Sequence, residues 1–212
     1  MAHRLDAVST LIRAGRYDEA LQGAAAAVEL DPSHERARAT LGWALFLGGR
    51  REEGLAELER AAASAPGSTL WLGQLGQAYA MAGRQERARD VLRELEARAG
   101  NGFVSPYHLA YVYTGLGEAD RALDCLERAV AERTGAVYGI KGSFLFTALH
   151  DHARFQALLR RMKLASRHAP GTRSRWASPP RRKLSSDERR ICSEVSYDAL
   201  QRDRHLSRNL EL

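Results

Sequence analysis

Two cysteines in 212 residues, Cys125 and Cys192, lie 67 apart with no CxxC spacing, which excludes a disulfide framework and a cysteine-based zinc site. No apolar run approaches the roughly 18 residues that a membrane span needs, so no membrane is expected. The first residues, Met-Ala-His-Arg-Leu-Asp-Ala-Val, place Asp6 and then Arg13 where an export signal needs an unbroken apolar stretch. Together with the sparse cysteine, this points to a reducing, cytoplasmic setting. Only six prolines are present, and the 18 glycines are an ordinary number, so collagen-like chains are excluded. Neither sign of charge dominates: charged residues are 27% and apolar residues 44%, the usage of a folded soluble chain with one to two domains.

Catalytic signatures are also missing. There is no GxSxG and no HExxH, and Gly139-Ile140-Lys141-Gly142-Ser143 lacks the GxxxxGK[ST] order of a phosphate loop. His150 and His152 flank Asp151, but an i, i+2 pair on a helix points to different sides and no further ligand has supporting spacing. Cys125 falls where a small buried thiol is the usual occupant. The sequence therefore predicts no enzyme, no metal and no cofactor.

Net charge is +6, and its distribution is uneven. Residues 1–163 hold 21 Lys+Arg against 20 Asp+Glu, whereas residues 164–212 hold 11 against 6. A nearly neutral body thus carries a basic tail. Arginine outnumbers lysine 29 to 3 and alanine is abundant, a usage that hints at a GC-rich bacterial genome.

What is present is a repeat. Gly15, Gly49, Gly83 and Gly117 are spaced 34 residues apart, a coincidence on the order of one in a thousand for this glycine content. Seven residues before each stand Val8, Gly42, Gly76 and Ala110; five after stand Ala20, Gly54, Ala88 and Ala122. Small side chains there allow two antiparallel helices to approach closely. Large residues flank them: Leu11, Leu45, Tyr79 and Tyr113 on the first helix, then Leu58, Leu92 and Leu126 on the second. The glycine between ends one helix and permits the turn.

This pattern resembles the tetratricopeptide repeat (TPR) family, W-x2-L-G-x2-Y followed by A-x3-F and P. Repeat two supplies Leu41-Gly42, Leu45, Gly54, Leu58, Ala61 and Pro66; repeat three supplies Leu75-Gly76, Tyr79, Ala88 and Leu92. Repeat one has Gly15-Arg16-Tyr17-Asp18-Glu19-Ala20 running to Leu30-Asp31-Pro32, with Arg4 and Ala7 in a weak first half. Repeat four has Leu109-Ala110, Tyr113, Ala122, Leu126 and Ala129, opened by Ser105-Pro106, a helix cap followed by a first-turn proline. Lys141 to Phe146, Leu149, Arg154-Phe155, Leu158-Leu159 and Arg161-Met162 resemble the closing segment of TPR modules in bacterial winged-helix regulators, kinases and cyclases. Ser143-Phe144 replaces the Asp-Pro of that pattern.

The resemblance implies an all-α, right-handed TPR solenoid of about four helix-turn-helix repeats over residues 1–163. Repeats of 1–34, 35–68, 69–102 and 103–136 are followed by a cap over 137–163. Helix pairs are predicted at 2–14/18–30, 35–47/52–64, 69–81/85–98 and 106–115/119–132. A final helix near 153–162 carries Phe155, Leu158, Leu159 and Met162 on one face.

The resemblance also implies a protein-interaction scaffold or adaptor whose first helices line a concave groove for a peptide or protein segment. The groove positions read Leu5, Ser9 and Ile12; Ala39, Trp43 and Phe46; Gly73, Gln77 and Ala80; and Tyr107, Tyr111 and Thr114. Neighbouring sites add Asp6, Thr40, Gln74 and His108. Ser9, Thr40, Trp43, Phe46, Gln74, Gln77, His108 and Tyr111 are the predicted partner-binding residues. Trp43 and Phe46, three apart on one helical face, suit either peptide anchoring or packing against an adjoining element. Hsp70 and Hsp90 tails are not the expected ligand, because the positions that grip their terminal carboxylate are Leu5, Ser9, Thr40, Leu70 and Gln74, with no cation among them.

Residues 164–212 read as a basic, largely disordered tail, with Pro170, Gly171, Pro179, Pro180 and little apolar content. Arg173, Arg175, Trp176, Arg181 and Arg182 offer an alternative, a weak and salt-dependent nucleic-acid contact. A second alternative is a regulatory or self-association module of a larger signalling or transcription protein.

Overall fold

The computed structural model describes residues 2–164, which form nine α-helices and two 3-10 segments, with no strand among the described residues. The helices are α1 (Ala2–Arg13), α2 (Tyr17–Leu30), α3 (Glu35–Leu47), α4 (Arg51–Ser64), α5 (Thr69–Met81), α6 (Gln85–Asn101), α7 (Pro106–Leu116), α8 (Ala119–Ala131) and α9 (Ala153–Arg161). The 3-10 segments, Gly135–Gly142 and Phe144–Leu149, lie between α8 and α9. Four helix pairs and a terminal helix match the solenoid implied by the 34-residue period. α6 runs three residues beyond the predicted end, through Gly100, whose surroundings are open.

The period has a single backbone cause. Gly15, Gly49, Gly83 and Gly117 all have positive φ, at 73°, 101°, 81° and 78°. The next N–H in each repeat, of Arg16, Arg50, Arg84 and Glu118, donates to the carbonyl of Leu11, Leu45, Tyr79 and Tyr113 at 2.9–3.0 Å. This six-to-one bond caps the first helix and reverses the chain, and its left-handed residue is comfortable only as glycine.

The small positions set how closely each pair packs. A Cβ on Gly54 would lie 2.6 Å from the carbonyl oxygen of Gly42 and 2.6 Å from the backbone N of Phe46. In α3 and α4, therefore, backbone rests on backbone. Ala20, Ala88 and Ala122 fill the same position in the other pairs and are completely buried. Tyr79 and Tyr113 repeat a polar fitting 34 residues apart: their hydroxyls donate to Glu59 and Glu96, and Arg87 and Arg121 lie over their rings at 4.8 and 5.2 Å.

Successive first helices also meet directly. A Cβ on Gly73 would lie 2.6 Å from the His108 carbonyl oxygen, and one on Gly115 would lie 2.8 Å from that of Gln77, so α5 and α7 touch along their length. At the far end, α9 buries Phe155, Leu158 and Leu159. Its Arg154 reaches Asp120, Asp124 and Glu127 of α8 at 3.3, 2.7 and 3.2 Å. The His152 side chain caps α9 by accepting from the Arg154 N–H.

Candidate functional site

The inner face is built by α1, α3, α5 and α7, and helical spacing puts its functional side chains in rows. Trp43 and Phe46 are successive contacts on α3, with ring centres 5.7 Å apart in an edge-on pair. Both are buried, at 2% and 3% exposure. The Trp43 Nε1–H donates to Gln74 Oε1 of α5 at 2.8 Å, which ties the second repeat to the third. One turn on from Gln74, Gln77 is 2% exposed. On α7, Tyr107 and Tyr111 form a second edge-on pair at 5.1 Å.

The chain itself covers this face. Residues 142–149, here called the strap, meet it with two alternate side chains and the main-chain carbonyl between them. Phe144 meets Trp43 edge-on at 5.7 Å. Phe146, with no exposure, lies flat on Tyr111 at 5.1 Å and 8° and edge-on to Tyr107 at 5.2 Å. Between them the main-chain carbonyl of Leu145 accepts from Gln77 Nε2 at 2.6 Å. At the strap's start, Arg13 Nη1 of α1 donates to the Gly142 carbonyl at 3.1 Å. Ser143 opens the second 3-10 segment by accepting from the Leu145 N–H, and the backbone bends at Phe146.

Of the predicted partner-binding residues, Trp43, Gln77 and Tyr111 come together under the strap, and Phe46 packs edge-on against Trp43. Gln74 supports Trp43. Thr40 is buried, and its hydroxyl donates to the Arg36 carbonyl; the half-buried Ser9 hydroxyl is likewise spent on Leu5. His108 Nδ1 lies 2.8 Å from Thr69 Oγ1, a hydrogen bond whose direction follows the tautomer, and burial pushes the ring's pKa down to about 4. Burial likewise drives the Tyr111 hydroxyl well above its ordinary range. The residues that sequence reasoning missed are Arg13, Gly142, Phe144, Leu145 and Phe146. Their one signal is the apolar run Phe144-Leu145-Phe146 behind Ser143, where the family pattern has Asp-Pro.

Other features of the described residues offer little chemistry. They contain no group of three or more His, Cys, Asp or Glu placed to hold a metal, and no helix long and apolar enough to cross a membrane. Burial pushes the half-buried Cys125 thiol up to about 11, far from a reactive thiolate. The tail residues Arg173, Arg175, Trp176, Arg181 and Arg182 lie outside the described residues.

Models of the tetratricopeptide repeat match residues 11–72 and 107–133, the stretches that hold the left-handed glycines Gly15, Gly49 and Gly117. The chain contains tetratricopeptide repeats. No curated protein matches it. Among solved structures it is similar to MamA AMB-1, at 23% identity over 76% of this chain and 94% of that one, with a TM-score of 0.42. It is also similar to the MamA RS-1 ArsTM double mutant, at 15% identity over 76% of this chain and 95% of that one, with a TM-score of 0.41. Tetratricopeptide repeats mark a protein-interaction scaffold in general.

Proposed function

We propose that the chain is a non-enzymatic adaptor whose concave face binds an apolar peptide segment of a partner protein. One observation carries the reading: a buried side-chain amide, Gln77, grips a main-chain carbonyl between two aromatic subsites. A face designed only to pack against a neighbouring helix has no use for a donor aimed at peptide backbone, because helical carbonyls are already paired. Here the donor meets the Leu145 carbonyl, in a 3-10 segment whose backbone bends at Phe146, flanked by pockets that accept aromatic side chains. Peptide recognition combines the same two elements, backbone hydrogen bonds for affinity and alternate pockets for specificity.

The test is selection of displayed random peptides on the full chain, with the wild type and Phe144→Ala as baits. Recovered peptides are expected to lose about tenfold or more in affinity when Gln77→Leu is added to Phe144→Ala, the loss of one buried hydrogen bond. Recovery of no peptide by either bait, or binding indifferent to Gln77, would refute the reading.

A further inference from the structure

The geometry points to a partner segment of the form acidic residue, any residue, aromatic, any residue, aromatic, for which residues 142–149 are the built-in competitor. This rests on the groove reading above and names its ligand. The spacing comes from the strap itself: side chains two apart reach Trp43 on α3 and Tyr107 with Tyr111 on α7, while the intervening carbonyl meets Gln77 on α5. Each subsite is built on aromatic rings, so the two pockets select flat, apolar side chains.

The acidic position follows from Arg13. Its guanidinium bonds the Gly142 carbonyl, and a Cβ on Gly142 would lie 2.6 Å from Arg13 Nη1. Any side chain presented there by another segment meets a cation at the solvent edge. A carboxylate converts that encounter into a charge-assisted hydrogen bond, which the glycine of the strap cannot make.

The strap is an imperfect ligand for this groove. Gln77 must turn Nε2 toward the Leu145 carbonyl, since the flipped amide would set two acceptors against each other. Its Oε1 is then buried and accepts no hydrogen bond among the described residues. Buried acceptors without donors are costly, so a segment that brings a backbone N–H to Oε1 outcompetes the strap. Phe144 is only half-buried, and the strap is held as 3-10 turns without an α-helix of its own. It can therefore lift without unwinding any of the helix pairs.

The experiment uses the full chain, as wild type and as Phe144→Ala/Phe146→Ala, titrated into fluorescein-labelled peptides and read by anisotropy. The probes are Lys-Gly-Ser-Phe-Leu-Phe-Thr-Ala-Leu, the sequence of residues 141–149; its Gly142→Glu form; and a form with both Phe replaced by Ala. The opened variant is expected to bind the first peptide about tenfold or more tightly than wild type does, and the Gly142→Glu peptide about threefold to tenfold more tightly again at low salt. It should not bind the Phe-less peptide. Equal binding by wild type and variant overturns the competitor role and leaves the groove reading standing. No gain from Gly142→Glu overturns the acidic position. Failure of every peptide to bind a variant that keeps its helical signal overturns the groove reading as well. If the double variant loses that signal, Phe144→Ala replaces it, and a gain of less than about twofold over wild type counts as refutation.

Discussion

Gly54→Ala separates the repeat pattern from the structure. The equivalent position is alanine in the other three repeats, at Ala20, Ala88 and Ala122, and alanine in a helix interior is favoured over glycine by about 1 kcal/mol. Pattern alone therefore predicts a more stable protein. The structure predicts the reverse. A Cβ at residue 54 would lie 2.6 Å from the Gly42 carbonyl oxygen, 2.6 Å from the Phe46 nitrogen and 2.8 Å from its Cα, all backbone atoms that no rotamer can move. Relief requires α3 and α4 to separate by several tenths of an ångström, which loosens Leu55 and Leu58 in the core. Overpacking of this kind costs about 1–3 kcal/mol, and contact with backbone puts it at the upper end. Set against the propensity gain, the net is a loss of about 2 kcal/mol, or a fall in Tm of roughly 4–8 °C for a body of this size. Gly100→Ala is the control: it sits in the last turn of α6 with nothing within 4 Å of its Cβ position, and should gain about 0.5 kcal/mol. Thermal melts of the full chain followed by far-UV circular dichroism read both. A Gly54→Ala protein with Tm raised alongside Gly100→Ala would refute the close backbone contact.

Two further outcomes follow from the inner face. Trp43→Phe keeps the ring contact with Phe144 but removes the donor to Gln74, and should cost about 1 kcal/mol and lower Tm by roughly 2–4 °C, whereas Trp43→Ala should cost about 3–5 kcal/mol; a Trp43→Ala melt unchanged from wild type would show the ring is not packed. His108 is held neutral by burial, with its folded pKa down at about 4 against an ordinary 6.5. The unfolded chain therefore takes up the proton first, and the stability tied to the neutral ring is whole above about pH 6.5 and drains away as the pH falls toward 4. Urea melts at pH 7.5 and 5 should show wild type losing more stability than His108→Gln; equal losses would contradict this.

The sequence by itself determined the repeating frame. Turn glycines, small contact residues and apolar stripes act within one helix pair, over a few turns of chain. A local pattern therefore carries them, and the helix ends followed to within about three residues. It also named the residues of the inner face, Trp43, Phe46, Gln77 and Tyr111, because the repeat register assigns a side to every position of the first helix. Only the tertiary structure decided what that face touches. The strap has no helical or strand period to announce it, and its partners lie as far as 129 residues away, as with Arg13 and Gly142. Its path depends on how the repeats stack, through packing such as Gly73 under the His108 carbonyl, which no single repeat encodes. Burial of Trp43 is accordingly a property of the assembled solenoid, in which Phe144 arrives from a distant part of the chain to meet it.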